Sequence, residues 1–153
     1  MFDPVFSKVL VAYDGSDASK RALDYGVKMA AMFEGELAII TVVPKVSIPV
    51  YSNAELGAQA MDIASLQERM HENYSLSLKK AEEEIKGIYP HLKVETLLLE
   101  GRPSSTIVSE ADRLGVSLIV MGSRGLGGIS GWILGSTSRQ VVDQCTKAIL
   151  VVK

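Results

Sequence analysis

The sequence carries one cysteine, Cys145, and two histidines in 153 residues. A lone thiol closes no internal disulfide, and so few soft ligands argue against a Cys- or His-based zinc site. Neither sign of charge dominates: Lys and Arg number 16, Asp and Glu 18, and the net charge is −2. A general nucleic-acid binder needs a basic surface to neutralise phosphates, so that class is excluded. No apolar run approaches the ~18–20 residues of a membrane span. The opening Met1-Phe2-Asp3-Pro4 has no basic n-region and no apolar h-region, so no secretory signal is expected. What is plentiful is core material, at 47% hydrophobic residues. A chain of this length buries roughly 68–70% of its unfolded surface and needs no staple. The expectation is one soluble, cytoplasmic domain over residues 1–153.

Apolar periodicity divides the chain into alternating elements. Lys8–Tyr13 reads as a strand that stops at Asp14-Gly15-Ser16-Asp17, a turn cluster rich in helix N-cap residues. Ala22/Leu23, Gly26/Val27, Ala30 and Phe33 then recur at helical spacing, with Gly35 placed for a helix end. Leu37–Val43 is a second strand, apolar almost throughout, as befits a strand covered on both faces. Residues 44–58 read as a long loop beside any site at the strand ends. Ile63, Leu66, Met70, Tyr74, Leu78, Ala81, Ile85 and Ile88 form one stripe of a long helix. Lys79–Glu83, Lys80–Glu84 and Glu82–Lys86 pair on its solvated face. Lys93–Leu99 is a third strand, and Gly101-Arg102-Pro103-Ser104 turns into a helix carrying Ile107, Ala111 and Leu114. Ser117–Met121 is a fourth strand; Ser136 is positioned to cap a helix running to Gln144; Ala148–Val152 is a fifth strand. Strict βα alternation implies an α/β fold, a parallel sheet with helices on both faces. Ligands of such folds bind beyond the carboxyl ends of the strands, at the switch point.

The stretch after strand four is the chemical signal. Six of the fourteen positions 122–135 are glycine: Gly122, Gly125, Gly127, Gly128, Gly131 and Gly135. A loop of this kind lets a ligand approach the backbone, and successive N–H groups form an anion-binding nest. It runs into a helix start bearing Ser136, Thr137 and Ser138, where unpaired N–H groups and the dipole favour a phosphate. The P-loop is absent, since no Gly-Lys pair exists, and Ser130 stands where GxGxxG needs its third glycine. A carboxylate just past strand one, Asp14, can accept both protons of a vicinal diol, or serve the turn. Arg124 reads equally as a phosphate contact or a solvated side chain, and Trp132 as an anchor of the loop.

With Gly122-x2-Gly125-x9-Gly135-Ser136, the opening KVLVAYDGSDAS, the GRPSS turn and the closing GSTSRQVV and ILVV segments, the chain resembles the universal stress protein family over essentially its whole length. The resemblance implies an open, doubly wound five-stranded sheet, adenine-nucleotide alpha-hydrolase-like, and ATP as the ligand. By position it implies that Asp14 meets the ribose and that Ala12 and Val42 flank the adenine. Met121 and Gly122 would line the pocket floor. Gly125, Gly135, Ser136, Thr137 and Ser138 would hold the phosphates, and Gly101 would give the nucleotide room. Mg²⁺ or Mn²⁺ bridging the phosphates would use a serine or Asp14, since the chain offers no dedicated metal cage. The resemblance also puts the last strand at the sheet edge. Ala148–Val152 is apolar at every position and carries no edge-blunting device, so a homodimer through strand 148–152 is expected.

Catalysis is less well provided for. Phosphoryl transfer needs charge on the γ-phosphate and an activated nucleophile. The cradle has no lysine, and neither His71 nor His91 is placed by sequence at a strand's carboxyl end. Cys145 reads as a buried helix residue, and Leu99-Glu100-Gly101 offers no acceptor aspartate. The expectation is a nucleotide-dependent stress or signalling module with an unknown protein partner. The alternatives are a slow ATPase or phosphotransferase at the same site, and a nucleotide-independent dimeric scaffold.

Overall fold

A computed structural model describes residues 6–47, 56–125 and 134–153. The order is β1 (Lys8–Ala12), α1 (Asp17–Met32), β2 (Glu36–Pro44), α2 (Leu56–Ile88), β3 (Lys93–Gly101), α3 (Pro103–Leu114), β4 (Leu118–Gly122), α4 (Ser136–Gln144) and β5 (Ala148–Val152). The five strands form one sheet in the order β3-β2-β1-β4-β5, and every pairing is parallel. The expected doubly wound sheet is therefore present.

Side chains alternate faces along each strand, and the two halves of the core follow that alternation. Val9, Val11, Leu37, Ile39, Leu118 and Val120 meet α1 and α2 through Ala22, Val27, Leu78 and Ile85. Leu10, Ala38, Ile40, Ile119 and Met121 meet α3 and α4 through Ile107, Ala111 and Val141. Both halves obey one handedness rule. The chain steps outward from β1 to β2 to β3, then jumps back to β4 on the far side of β1. Right-handed crossovers put helices of opposite travel on opposite faces. The reversal leaves a crevice between the carboxyl ends of β1 and β4.

Several boundaries differ from the sequence reading, each for a local reason. Helix α2 starts at Leu56, inside the stretch read as loop 44–58. Strands β3 and β4 run on through Gly101 and Gly122, because Gly101 pairs with Pro44 and Gly122 with Val152. Helix α1 ends at a Phe33 cap, and the left-handed residue is Glu34 at φ 53 rather than Gly35. Gly35 is needed for space instead, since a Cβ there would lie 2.5 Å from the Phe6 carbonyl oxygen. Cys145 is the half-buried cap after α4, not a buried residue within it. The stripe of α2 is buried at Leu78, Ala81 and Ile85, but Leu66 and Ile88 are exposed. Of the three ion pairs expected on that helix, Glu82–Lys86 forms. Among the described residues no helix is long and apolar enough to cross a membrane.

Candidate functional site

The carboxyl end of β1 is held firmly beyond its last paired residue. Tyr13 N donates to Ile40 O at 2.9 Å, and the buried Thr41 Oγ1 donates to Tyr13 O at 2.7 Å. Asp14 follows at once. Ser16 N donates to Asp14 Oδ1 at 2.9 Å, and Ser16 caps α1 by accepting from Ser19 N. Asp14 thus does the turn duty read for it, through one oxygen. Its other oxygen, Oδ2, faces Gly125, where a Cβ would lie 2.8 Å from it.

A cavity of about 240 Å³ opens over this point. Its apolar end is made by Ala12, Ile40, Val42, Ile107 and Met121, with Pro44 and Pro103 at the margin. Its polar end is made by Asp14, Gly122, Arg124, Gly125 and the start of α4, Gly135–Ser138. Tyr13, Ser19 and Tyr74 close the side toward α1 and α2. Asp14 is the only carboxylate among the described lining residues. Among the described residues no cluster of three His, Cys, Asp or Glu could hold a metal ion.

At the polar end, α4 begins one residue earlier than the cap expected of Ser136. Gly135 is the N-cap, and Ser136 is the first helical residue. The N–H groups of Ser136, Thr137 and Ser138 belong to the first turn, which has no intrahelical acceptors. Gly135 N is already committed, donating to Ser123 O at 2.7 Å. The Ser138 hydroxyl is buried and points inward, 3.1 Å from both Ser123 O and Gly135 O. It braces the helix against β4, while Ser136 is exposed and Thr137 half-buried at the cavity. Gly127, Gly128, Gly131 and Trp132 lie outside the described residues, as does 48–55 of the loop after β2.

Of the eleven residues that the resemblance implied for the nucleotide, all but Gly101 line the cavity. Gly101 ends β3, the edge strand two places from β1, with φ 151. Tyr13, Ser19, Ile40, Pro44, Tyr74, Pro103 and Ile107 line it without having been foreseen. Pro103 and Ile107 had been read only as helix start and core. Tyr74 had been read as part of an apolar stripe. Burial, and then the nearby Asp14 carboxylate, push the Tyr74 phenol above its ordinary range. His71 corrects another expectation: its Nδ1 lies 3.1 Å from Oε1 of Glu100, near the carboxyl end of β3. Sequence could not show this, because α2 and β3 meet only in the fold.

The model of the universal stress protein family matches residues 6–153. The chain belongs to that family. The universal stress protein YxiE of Bacillus subtilis is 33% identical, over 97% of this chain and all of its own length. The universal stress protein UspA of Lactobacillus plantarum shares the fold, with TM-score 0.82 at 22% identity, over 97% of this chain and 98% of its own. A universal stress protein solved in complex with cAMP is 26% identical, with TM-score 0.64, over 96% of both chains.

Proposed function

We propose that this universal stress protein binds ATP in the β1/β4 crevice and acts as a nucleotide-dependent stress or signalling module. One observation carries the reading. A single cavity is lined by apolar side chains, one carboxylate and the N-terminus of α4, which no side chain caps. That set of surfaces suits a base, a sugar diol and a phosphate chain. Ala12 and Val42 would flank the adenine over Met121, and Asp14 would accept from the ribose. Gly122 and Gly125 would admit the phosphates onto the first turn of α4, where the dipole favours anions. Mg²⁺ or Mn²⁺, bound with the nucleotide, would be held by a serine hydroxyl or Asp14 and would offset the phosphate charge. The cAMP complex of a relative supports an adenine nucleotide as the class of ligand.

The test should leave the fold intact. Gly135→Val would confound it, because a Cβ there would lie 3.2 Å from the Ser123 carbonyl oxygen and crowd the bond that Gly135 N makes to it. Ser136→Asp is cleaner: the site is exposed, and an acid in the first turn favours the helix. ATP affinity by calorimetry should fall at least about tenfold, the scale of one lost charge-assisted contact, with the melting temperature unchanged or raised. Unchanged affinity in Ser136→Asp refutes the placement. Mass spectrometry of the purified protein identifies any nucleotide it carries, and ADP with steady phosphate release would mark slow hydrolysis instead.

We also propose a homodimer built on β5. The strand lies at the sheet edge beside β4, and only Val152 of its five residues is buried. An apolar edge strand with open backbone groups favours a two-fold partner strand.

A further inference from the structure

Helix α2 forms a side of the cavity that the glycine motif does not reach. Its inward stripe is polar near its start and apolar further on. Gln67, His71 and Tyr74 step by four and three, and Leu78, Ala81 and Ile85 continue the same face into the core. Gln67 clamps the chain leaving β2: its Nε2 donates to Pro44 O at 3.1 Å, and its Oε1 accepts from Val46 N at 2.9 Å. His71 meets Glu100 near the end of β3. Tyr74 comes next and lines the cavity on the side of Asp14. One turn on, Ser77 Oγ lies 3.2 Å from the Tyr13 hydroxyl, and Leu78 is buried. Tyr74 is therefore flanked along its own helix by residues bonded to the sheet side, and it is half-buried where it lines the crevice.

We propose that Tyr74 is a sugar-recognising residue of this site, one that selects nucleotides with free ribose hydroxyls over deoxy analogues. The inference rests on the adenine-nucleotide reading above and deepens it. A carboxylate only accepts, so Asp14 can take the protons of a diol but gives nothing to its oxygens. A phenol donates as well. Facing the same sugar, Tyr74 supplies the missing donor, so that a ribose hydroxyl gives its proton to Asp14 and receives one from Tyr74. A deoxy sugar takes that acceptor away from the Tyr74 hydroxyl in a partly dehydrated cleft, which is how polar sites reject analogues lacking a hydroxyl. Burial and the Asp14 charge keep the phenol protonated, hence a donor, throughout the neutral range.

The experiment compares ATP, 2′-deoxyATP and 3′-deoxyATP by calorimetry on the full-length chain and on Tyr74→Phe, which keeps the ring and its packing. The wild type should prefer ATP over one deoxy analogue by about tenfold, the loss expected for a hydroxyl bonded on both sides. Tyr74→Phe should lose about three- to tenfold for ATP and little for that analogue, so the preference contracts. An equal loss for all three nucleotides, or none, overturns the assignment while leaving the adenine-nucleotide reading in place. Failure of the wild type to bind any of the three removes that reading and this inference together.

Discussion

Gly122 serves two purposes at one Cα. It lines the cavity floor, and it lets α1 lie against the end of β4. A Cβ at Gly122 would stand 2.8 Å from both the carbonyl carbon and the Cβ of Ala18, atoms of the first turn of that helix. Gly122→Ala should therefore destabilise the protein by about 1–3 kcal/mol through overpacking, measured by denaturant unfolding without any ligand. The glycine itself was legible as the first position of a motif. Its packing role was not, because Ala18 and Gly122 are brought together only by the β1–β4 pairing. The turn duty of Asp14 was legible, since turn and strand end coincide in the sequence. Tyr74 was half legible: its spacing gave the face, and only the fold shows what that face meets. Its titration is a direct check on that environment. A phenol raised above its unfolded value, about 10, stabilises the native state below that pH, and the contribution is lost as pH rises through the higher folded value. The native Tyr74 ring, followed by NMR, should titrate above the ordinary phenol value of about 10, and Asp14→Asn should move it back down. Titration of Tyr74 at the ordinary phenol value would contradict the placement of α2.

Helix α2 shows what periodicity can and cannot resolve at the scale of an element. The step of three and four identified the helix and the register of its buried face. It could not say where the sheet stops beneath it, so Leu66 and Ile88 were counted with Leu78 and Ile85. Past the sheet, apolar residues on that stripe have nothing to cover, and Ile88 is 72% exposed. Two leucines two residues apart separate the cases. Leu78→Ala, at a fully covered site, should cost about 2–5 kcal/mol. Leu76→Ala, at a position 67% exposed, should stay within about 0.5 kcal/mol. Equal costs in thermal unfolding would mean that the inward face has been misassigned. The end of β2 shows the opposite limit. Thr41 is a hydroxyl inside an apolar run, and its burial is explained by a single carbonyl, that of Tyr13, to which it donates.

For the whole molecule, alternation of strand and helix made the parallel sheet legible before any coordinates. The order of the strands was not, because the jump from β3 to β4 leaves no local mark. That jump decides which strands are interior and which are edges. Strand β5 is an edge, and its backbone parity follows from one bond: Ser123 N donates to Val152 O, so Val152 and Leu150 turn their polar groups toward β4. Ile149 and Val151 turn theirs to the open side. A proline at Leu150 would break the sheet of the monomer, whereas Val151→Pro removes only an outward donor. By sedimentation the wild type should run as a dimer and Val151→Pro as a folded monomer. A wild type that stays monomeric at high concentration, or a Val151→Pro dimer of unchanged affinity, rules out pairing through this strand.

Ser123 has a consequence for how distant parts of the chain can communicate. Its N–H is tied to the last residue of β5, and its carbonyl receives both Gly135 N and the Ser138 hydroxyl. One buried residue thus joins the helix that opens the cavity to the strand that ends the sheet, through its own backbone N–H and carbonyl. Where binding at one end shifts the other, linkage makes the effect equal in both directions. Pairing of the outer strand would then favour a ligand at the start of α4 by the same free energy with which that ligand would favour the pairing.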